Sequence, residues 1–243
     1  MMKEFGAEAE WTSYDVITIK PRPYTPRTYY IENDWSAASY WYEMIALNAR
    51  PEDRIRLTGL FDGSKQGDSI TRYLFSLLGV KTTFEKSADG MPGTVCLKYS
   101  GHGVTRLDYD FLNCPDLAQT LVVACVAMHI PFHFTGLQTL KIKETDRIEA
   151  LKTELRKMGY VIEDRDNSEL IWDGSIQGRS ANSAPEVAID TYEDHRMALA
   201  FAPMDFVRNY IRINDPQVVT KSYPHYWEHL DEVGFEICEE HKE

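Results

Sequence analysis

Three corners of this chain carry cations, the first two beside acids: Lys143-Glu144-Thr145-Asp146-Arg147, Asp194-His195-Arg196 and Lys221-Ser222-Tyr223-Pro224. Arg147, Arg196 and Lys221 are each expected at or near the amino end of a helix. A helix start already carries about half a positive charge and favours acids by about 0.3–1 kcal/mol, so repeated cations there point to a bound anion. One such corner alone is better explained by an ion pair with Asp146, Asp194 or another nearby acid. Three corners together favour an anion pocket. Asp116, after Pro115, reads by itself as an ordinary first-turn acid beside an N1 proline. Glu144 has no capping role as clear. Two carboxylates beside three or four cations form a candidate acid/base pair within that pocket.

The elements that must position these residues recur. Lys3-Glu4-Phe5-Gly6, Leu77-Leu78-Gly79, Lys157-Met158-Gly159 and Glu232-Val233-Gly234 each run a helix end through a glycine into a short strand, and each glycine reads as a C′ cap. Between them an acidic residue opens an Ala-rich apolar helix at Asp34, Asp116 and Asp194, about 80 residues apart, a supersecondary period. One unit is a buried helix, a strand, a surface helix, a glycine, and two or three short strands. In the middle unit, residues 115–129 give the first helix and Phe132 to Phe134 the strand. Ile148, Leu151, Leu155 and Met158 give the stripe of the second helix. Val80 to Glu85 and Thr94 to Tyr99 read as short alternating strands. Mixed α/β architecture follows, as two complete copies and a broken third of a βαβαββ-type unit. Met1 enters in the last turn of a helix whose opening turns are absent, so the chain is expected to be truncated at its amino end.

Composition narrows the function classes. The 243 residues are 43% hydrophobic and 26% charged, an ordinary globular mixture with room for one large or two small cores. The formal net charge of -12, with an acidic Glu239-Glu240-His241-Lys242-Glu243 tail, gives no support to a nucleic-acid or anionic-membrane surface. No signal-like or membrane-spanning run is present, and a cytoplasmic setting is expected. Cys96, Cys114, Cys125 and Cys238 are scattered and read as reduced packing residues. His129/His133 and His225/His229 have the i,i+4 spacing that shares a metal on a helix, but neither pair has an obvious third ligand. No cofactor or metal is expected.

The same corner motifs, with Cys114-Pro115-Asp116 between them, resemble the carboxyl-terminal lobe of the 5-enolpyruvylshikimate-3-phosphate (EPSP) synthase family over nearly the whole chain. The resemblance implies an enolpyruvyl-transferase lobe built from repeated βαβαββ units around buried helices, an inside-out α/β barrel. Residues 1–30 would be the tail of an otherwise missing amino-terminal lobe and 31–243 the carboxyl-terminal lobe. It also implies transfer of the enolpyruvyl group of phosphoenolpyruvate to the 5-hydroxyl of shikimate-3-phosphate, in aromatic amino-acid biosynthesis, by a protein that is a monomer at full length. Carried over, Asp116 takes the 5-hydroxyl proton. Glu144 and Lys221 exchange protons with the enol carbon and the leaving phosphate. Arg147, Arg196 and Lys221 hold phosphoenolpyruvate, while Lys143 and Asp116 contact the shikimate ring. Thr139 stands where many relatives carry an amide or basic side chain and receives no role; Leu199 replaces a frequent methionine.

Two alternatives stand beside this one. A UDP-sugar enolpyruvyl transferase would share the fold but lack the Lys-Glu-Thr-Asp-Arg signature. A non-catalytic anion-binding or assembly module would keep the repeat without the chemistry. With one wall of the cleft absent, the chain alone is expected to be inactive.

Overall fold

The computed structural model describes all residues except 86, 87, 89, 90, 102, 177–186 and 240–243. Most of the acidic tail therefore lies outside the described residues. A 3-10 turn, Met2–Phe5, leads into a hairpin of β1 (Glu8–Ser13) and β2 (Val16–Lys20), and residues 21–33 run without regular structure to α1 (Trp35–Asn48). The first unit is α1, β3 (Ile55–Leu60), α2 (Thr71–Leu77), β4 (Val80–Phe84), β5 (Gly93–Tyr99) and β6 (Leu107–Asp110). The second unit repeats it as α3 (Ala118–Ala127), β7 (Phe132–Thr135), α4 (Arg147–Lys157), β8 (Glu163–Arg165), β9 (Glu169–Trp172) and β10 (Ala188–Ile189). A third follows with α5 (His195–Phe201), the single turn α6 (Asp205–Arg208), β11 (Arg212–Ile213), a 3-10 turn at Pro216–Lys221 and α7 (Tyr226–Glu232).

Strand order carries the repeat. One sheet runs β3-β5-β4 and the other β6-β7-β9-β8, so each unit places its third strand between the first two. The units are joined by parallel pairs, β6 with β7 and β10 with β11, in which the last strand of one unit lies beside the first strand of the next. Gly6, Gly79, Gly159 and Gly234 all have φ between 85° and 103°, the left-handed conformation that stops a helix without Cβ strain.

The core helices explain the architecture. Every residue of α3 is buried, as are most of α1 and α5, and α3 packs against both. A helix apolar all round has no solvent face, so sheets and amphipathic helices must cover it on every side. The α4 helix supplies such a cover, with Ile148, Leu151 and Leu155 turned inward and Met158 buried just past its end. The middle helix is shorter than expected: Pro115–Leu117 is a 3-10 turn, and His129, with φ 56°, lies beyond the last turn of α3. His133 is on β7, so the first histidine pair shares no helix. Cys114 and Cys125 are core residues as expected, whereas Cys96 is half-buried and Cys238 exposed, so Cys238 is no packing residue.

One core residue breaks the pattern. Glu43, in the middle of α1, is 0% exposed and neither carboxyl oxygen has a hydrogen-bond partner. Burial raises its pKa well above the ordinary 4.5, which keeps the proton on. With the folded value above the unfolded one, its contribution to stability is complete below about pH 4.5 and declines as pH rises. Glu43→Met should raise the stability to urea by about 1–3 kcal/mol at neutral pH. The gain should grow as pH rises above about 4.5, where the parent chain loses stability. Equal stability of the two proteins at every pH would show that the carboxyl has found a partner.

Candidate anion-binding site

Arg147 is the first residue of α4, behind the N-cap Asp146, whose carboxylate accepts from Glu149 N–H at 3.1 Å. With the cap satisfied by Asp146, the Arg147 side chain is free to turn inward, where it is 1% exposed. Its Nε donates to Asp194 Oδ2 at 2.6 Å, Nη2 to Asp194 Oδ1 at 3.3 Å and Glu144 Oε2 at 2.7 Å, and Nη1 to Asp116 Oδ1 at 3.0 Å. Asp194 is also the N-cap of α5, accepting from Arg196 N–H at 2.9 Å.

Asp116 gathers the remaining cations. Its carboxylate makes no cap bond; it meets Lys143 Nζ at 3.2 Å and Arg196 Nη2 at 3.0 Å in addition to Arg147. Arg196 Nη1 donates to the Asp116 carbonyl at 3.3 Å and to the Tyr40 hydroxyl at 3.4 Å, while its Nε is buried without a partner. Lys221 Nζ, on an exposed side chain, donates to Glu144 Oε1 at 2.5 Å. Lys143, Arg147, Arg196 and Lys221 thus converge in one cluster, bridged by Asp116 and Glu144, and Asp194 is the third carboxylate. Four cations are bridged by three carboxylates, with Asp68 close to Arg196, so an incoming anion must displace a carboxylate to reach a cation.

The environment sets the protonation states. The hydrogen bond from Lys221 holds the Glu144 carboxyl at about 2, helped by Arg147. Burial pushes Asp116 upward as the largest single influence, but Arg196, Lys143 and Arg147 together outweigh it and its pKa is lowered. Burial raises Asp68, whose carboxylate accepts from Ser36 Oγ near Arg196 and Asp116. His195 is lowered by burial, so its ring beside the arginines is neutral at pH 7.

Two expectations change. Lys221 does not sit at a helix amino end: it closes the 3-10 turn Pro216–Lys221, five residues ahead of α7. The proline at 224 and the short Ser222-Tyr223 link separate it from the helix that its sequence position suggested. Arg147 and Arg196 do pair with acids: Arg147 with Glu144 of its own corner and with Asp116 and Asp194 of neighbouring ones, Arg196 with Asp116; Asp146 caps its own helix and lies 3.7 Å from Lys141. Asp194 was among the acids expected to pair with these arginines, and it is the chief partner of Arg147; Tyr40 was hidden by its place inside an Ala-rich helix. His225 and His229 are bonded to Glu228 and Tyr223. Among the described residues no group of three or more His, Cys, Asp or Glu side chains is placed to hold a metal ion.

Residues 1–230 match the family described as EPSP synthase (3-phosphoshikimate 1-carboxyvinyltransferase). A 3-phosphoshikimate 1-carboxyvinyltransferase of Bacteroides fragilis is 52% identical over 237 residues, covering 98% of this chain and 55% of the relative. One from Cellvibrio japonicus is 32% identical over 240 residues, covering 96% and 51%. The chain spans about half the length of the curated relatives it matches. Among solved structures, an EPSP synthase from Acinetobacter baumannii superposes over 96% of this chain and 53% of its own, with a TM-score of 0.71 at 19% identity. That likeness speaks for the fold.

The ion cluster has measurable consequences. Asp194→Asn leaves a buried guanidinium short of its closest partner and should cost about 3–5 kcal/mol in urea denaturation, against about 1 kcal/mol for Asp146→Ala, which removes a cap and an exposed contact with Lys141. Glu144 titrates lower in the folded chain than unfolded, so its contribution is complete above about pH 4.5 and is lost as pH falls toward about 2. Glu144→Gln should flatten that acid limb; an unchanged limb would mean that the Lys221 contact does not hold the carboxylate in solution.

Proposed function

The chain belongs to the EPSP synthase family, and on that premise we propose that it supplies the carboxyl-terminal half of a 3-phosphoshikimate 1-carboxyvinyltransferase site. Residues 1–30 then belong to the other lobe and 31–243 form this one. The exposed β1–β2 hairpin, with Trp11 70% exposed, supports that division. The whole protein works as a cytoplasmic monomer of the shikimate pathway. Its substrates, phosphoenolpyruvate and shikimate-3-phosphate, carry carboxylate and phosphate groups that suit clustered cations. The carrying observation is the convergence of Lys143, Arg147, Arg196 and Lys221 on Asp116 and Glu144.

In the proposed reaction the 5-hydroxyl oxygen of shikimate-3-phosphate attacks C2 of phosphoenolpyruvate while C3 gains a proton. The tetrahedral adduct then loses phosphate from C2 and a proton from C3. Asp116 accepts the hydroxyl proton. A carboxylate held low by Arg196, Lys143 and Arg147 is a weak base, so proton transfer accompanies C–O bond formation rather than preceding it. Phosphoenolpyruvate's phosphate competes with Glu144 for Lys221. Once Lys221 turns to the phosphate, Glu144 loses its largest stabiliser and its pKa rises, which equips it to carry the proton exchanged at C3. Lys221 in turn serves the leaving phosphate, and Lys143 with Asp116 contacts the shikimate ring. Arg196, with its unpartnered Nε, receives the anion as Asp116 gives way. Arg147 is buried and committed to three carboxylates, so it joins only as its bonds to Asp116 and Glu144 loosen.

Substrate positioning contributes about 7–11 kcal/mol to such a barrier, and half of the cleft is needed to provide it. The chain alone should release no phosphate from the two substrates above background. Mixed with the upstream half, it should restore turnover, which Asp116→Asn should reduce by about 100-fold or more. Full activity of the chain alone contradicts the half-site; no activity from the folded mixture favours the non-catalytic anion-binding module.

A further inference from the structure

The segment that carries Asp194 and Arg196 enters its helix through an unfavourable turn. Tyr192 and Glu193 have φ of 53° and 58°, two left-handed residues in succession, and Asp194 N–H closes the turn on Thr191 O at 2.8 Å. Turns with both central residues at positive φ favour glycine, asparagine and aspartate. A tyrosine and a glutamate fill this one, so the conformation is imposed from outside the turn.

The helix α4 imposes it. Glu154 of that helix is fully buried; its Oε1 accepts from the Tyr192 hydroxyl at 2.6 Å, and its Oε2 accepts from Asp190 N–H at 3.1 Å and meets Lys157 Nζ at 2.6 Å. Burial, helped by that carboxylate, raises the Tyr192 pKa, so the hydroxyl keeps its proton and remains the donor. Arg147 and Glu154 lie about two turns apart on α4 and therefore on one face. That face pins the segment twice, at Asp190 and Tyr192 through Glu154 and at Asp194 through Arg147. The left-handed turn takes up the chain between the two pins.

Asp190 extends the brace to the other cation of the third unit. It accepts from Lys157 Nζ at 2.8 Å and from Asn214 Nδ2 at 2.7 Å, and Asn214 N–H donates to Ile189 O at 2.9 Å. Asp215 follows at φ 50° and leads into the 3-10 turn that ends on Lys221. The segments that deliver Arg196 and Lys221 therefore leave from one braced point, at the ends of β10 and β11.

We propose that Tyr192 is a positioning residue of the anion site: its hydroxyl, on Glu154, latches the left-handed turn that sets Asp194 against Arg147 and Arg196 toward the anion. It acts through Asp194, which the turn delivers to α5 as the N-cap. Without the latch the turn relaxes toward the right-handed region, and Asp194 must serve both its cap and Arg147 from a displaced backbone. The role in binding rests on the anion-site reading of the cluster; the latch itself does not.

Two readouts on the chain separate these. In Tyr192→Phe the Asp194 amide should exchange with solvent about tenfold faster relative to the buried Phe111 amide, which is bonded to Thr135 O at 2.9 Å and reports the rest of the fold. Inorganic phosphate, followed by its shift of the Arg196 Nε–H resonance, should bind the variant about tenfold more weakly. Adding Glu193→Asn, which suits the left-handed region, should return both readouts to within about threefold of the parent. A purely structural bond would lower the urea midpoint and leave the phosphate affinity of the folded chain as it was. Parent affinity in Tyr192→Phe therefore overturns the proposal, as does a double variant that binds no tighter than the single one. A parent chain whose Arg196 resonance does not respond to phosphate contradicts the anion-site reading instead; the exchange ratio then decides the latch, and an unchanged ratio overturns it.

Discussion

The Arg147 guanidinium has left water almost completely, and a buried cation is tolerable only when its charge and donors are matched. The match comes from three places in the chain: Asp116 ahead of α3, Glu144 ahead of α4 and Asp194 at the cap of α5. One interaction therefore ties the second unit to the third. It also fixes where two carboxylates point, and those carboxylates hold Lys143, Arg196 and Lys221. If Arg147 lost this shell, the remaining cations would repel one another across a partly desolvated cleft. The stability of the lobe and the geometry of its site have the same origin.

The repeat makes that arrangement available. Each unit presents a core helix whose start lies at a sheet-to-helix corner, and Asp34, Asp116 and Asp194 mark the three starts. Because α3 packs against both α1 and α5, residues from different units meet near these starts: Arg196 reaches Tyr40 of α1 and the Asp116 carboxylate ahead of α3. Positive helix ends and clustered cations then act together on an incoming anion. The carboxylates temper that field until the anion arrives.

Much of this was legible because repeats and caps are written in short motifs. The four glycines, the three acids and the stripe of Ile148, Leu151 and Leu155 each state a local rule, and the structure follows them. Arg147, Arg196 and Lys221 stood out because cations expected at helix starts conflict with the dipole, Asp116 and Glu144 as carboxylates beside them, and Lys143 through the family resemblance. What sequence left open is which acid meets which cation across units. Asp194 caps α5 and is also the main counter-ion of Arg147; Lys221 looked like a helix start and closes a 3-10 turn. Glu43 gave no sign, since a glutamate inside an apolar helix reads as a solvated position until all of its neighbours are known. The His129/His133 pair failed for a simple reason, the chain turning at His129 before the spacing could act on a helix.

The central claim is that this ion cluster is an anion receptor whose carboxylates yield to substrate. It is tested most directly by the crystal structure of the chain, with its upstream half, bound to phosphoenolpyruvate. The account predicts phosphate oxygens within about 3.2 Å of Lys221 Nζ and the Arg196 guanidinium, with the Lys221–Glu144 contact broken. Phosphoenolpyruvate bound away from these residues, with Lys221 still on Glu144, would contradict it.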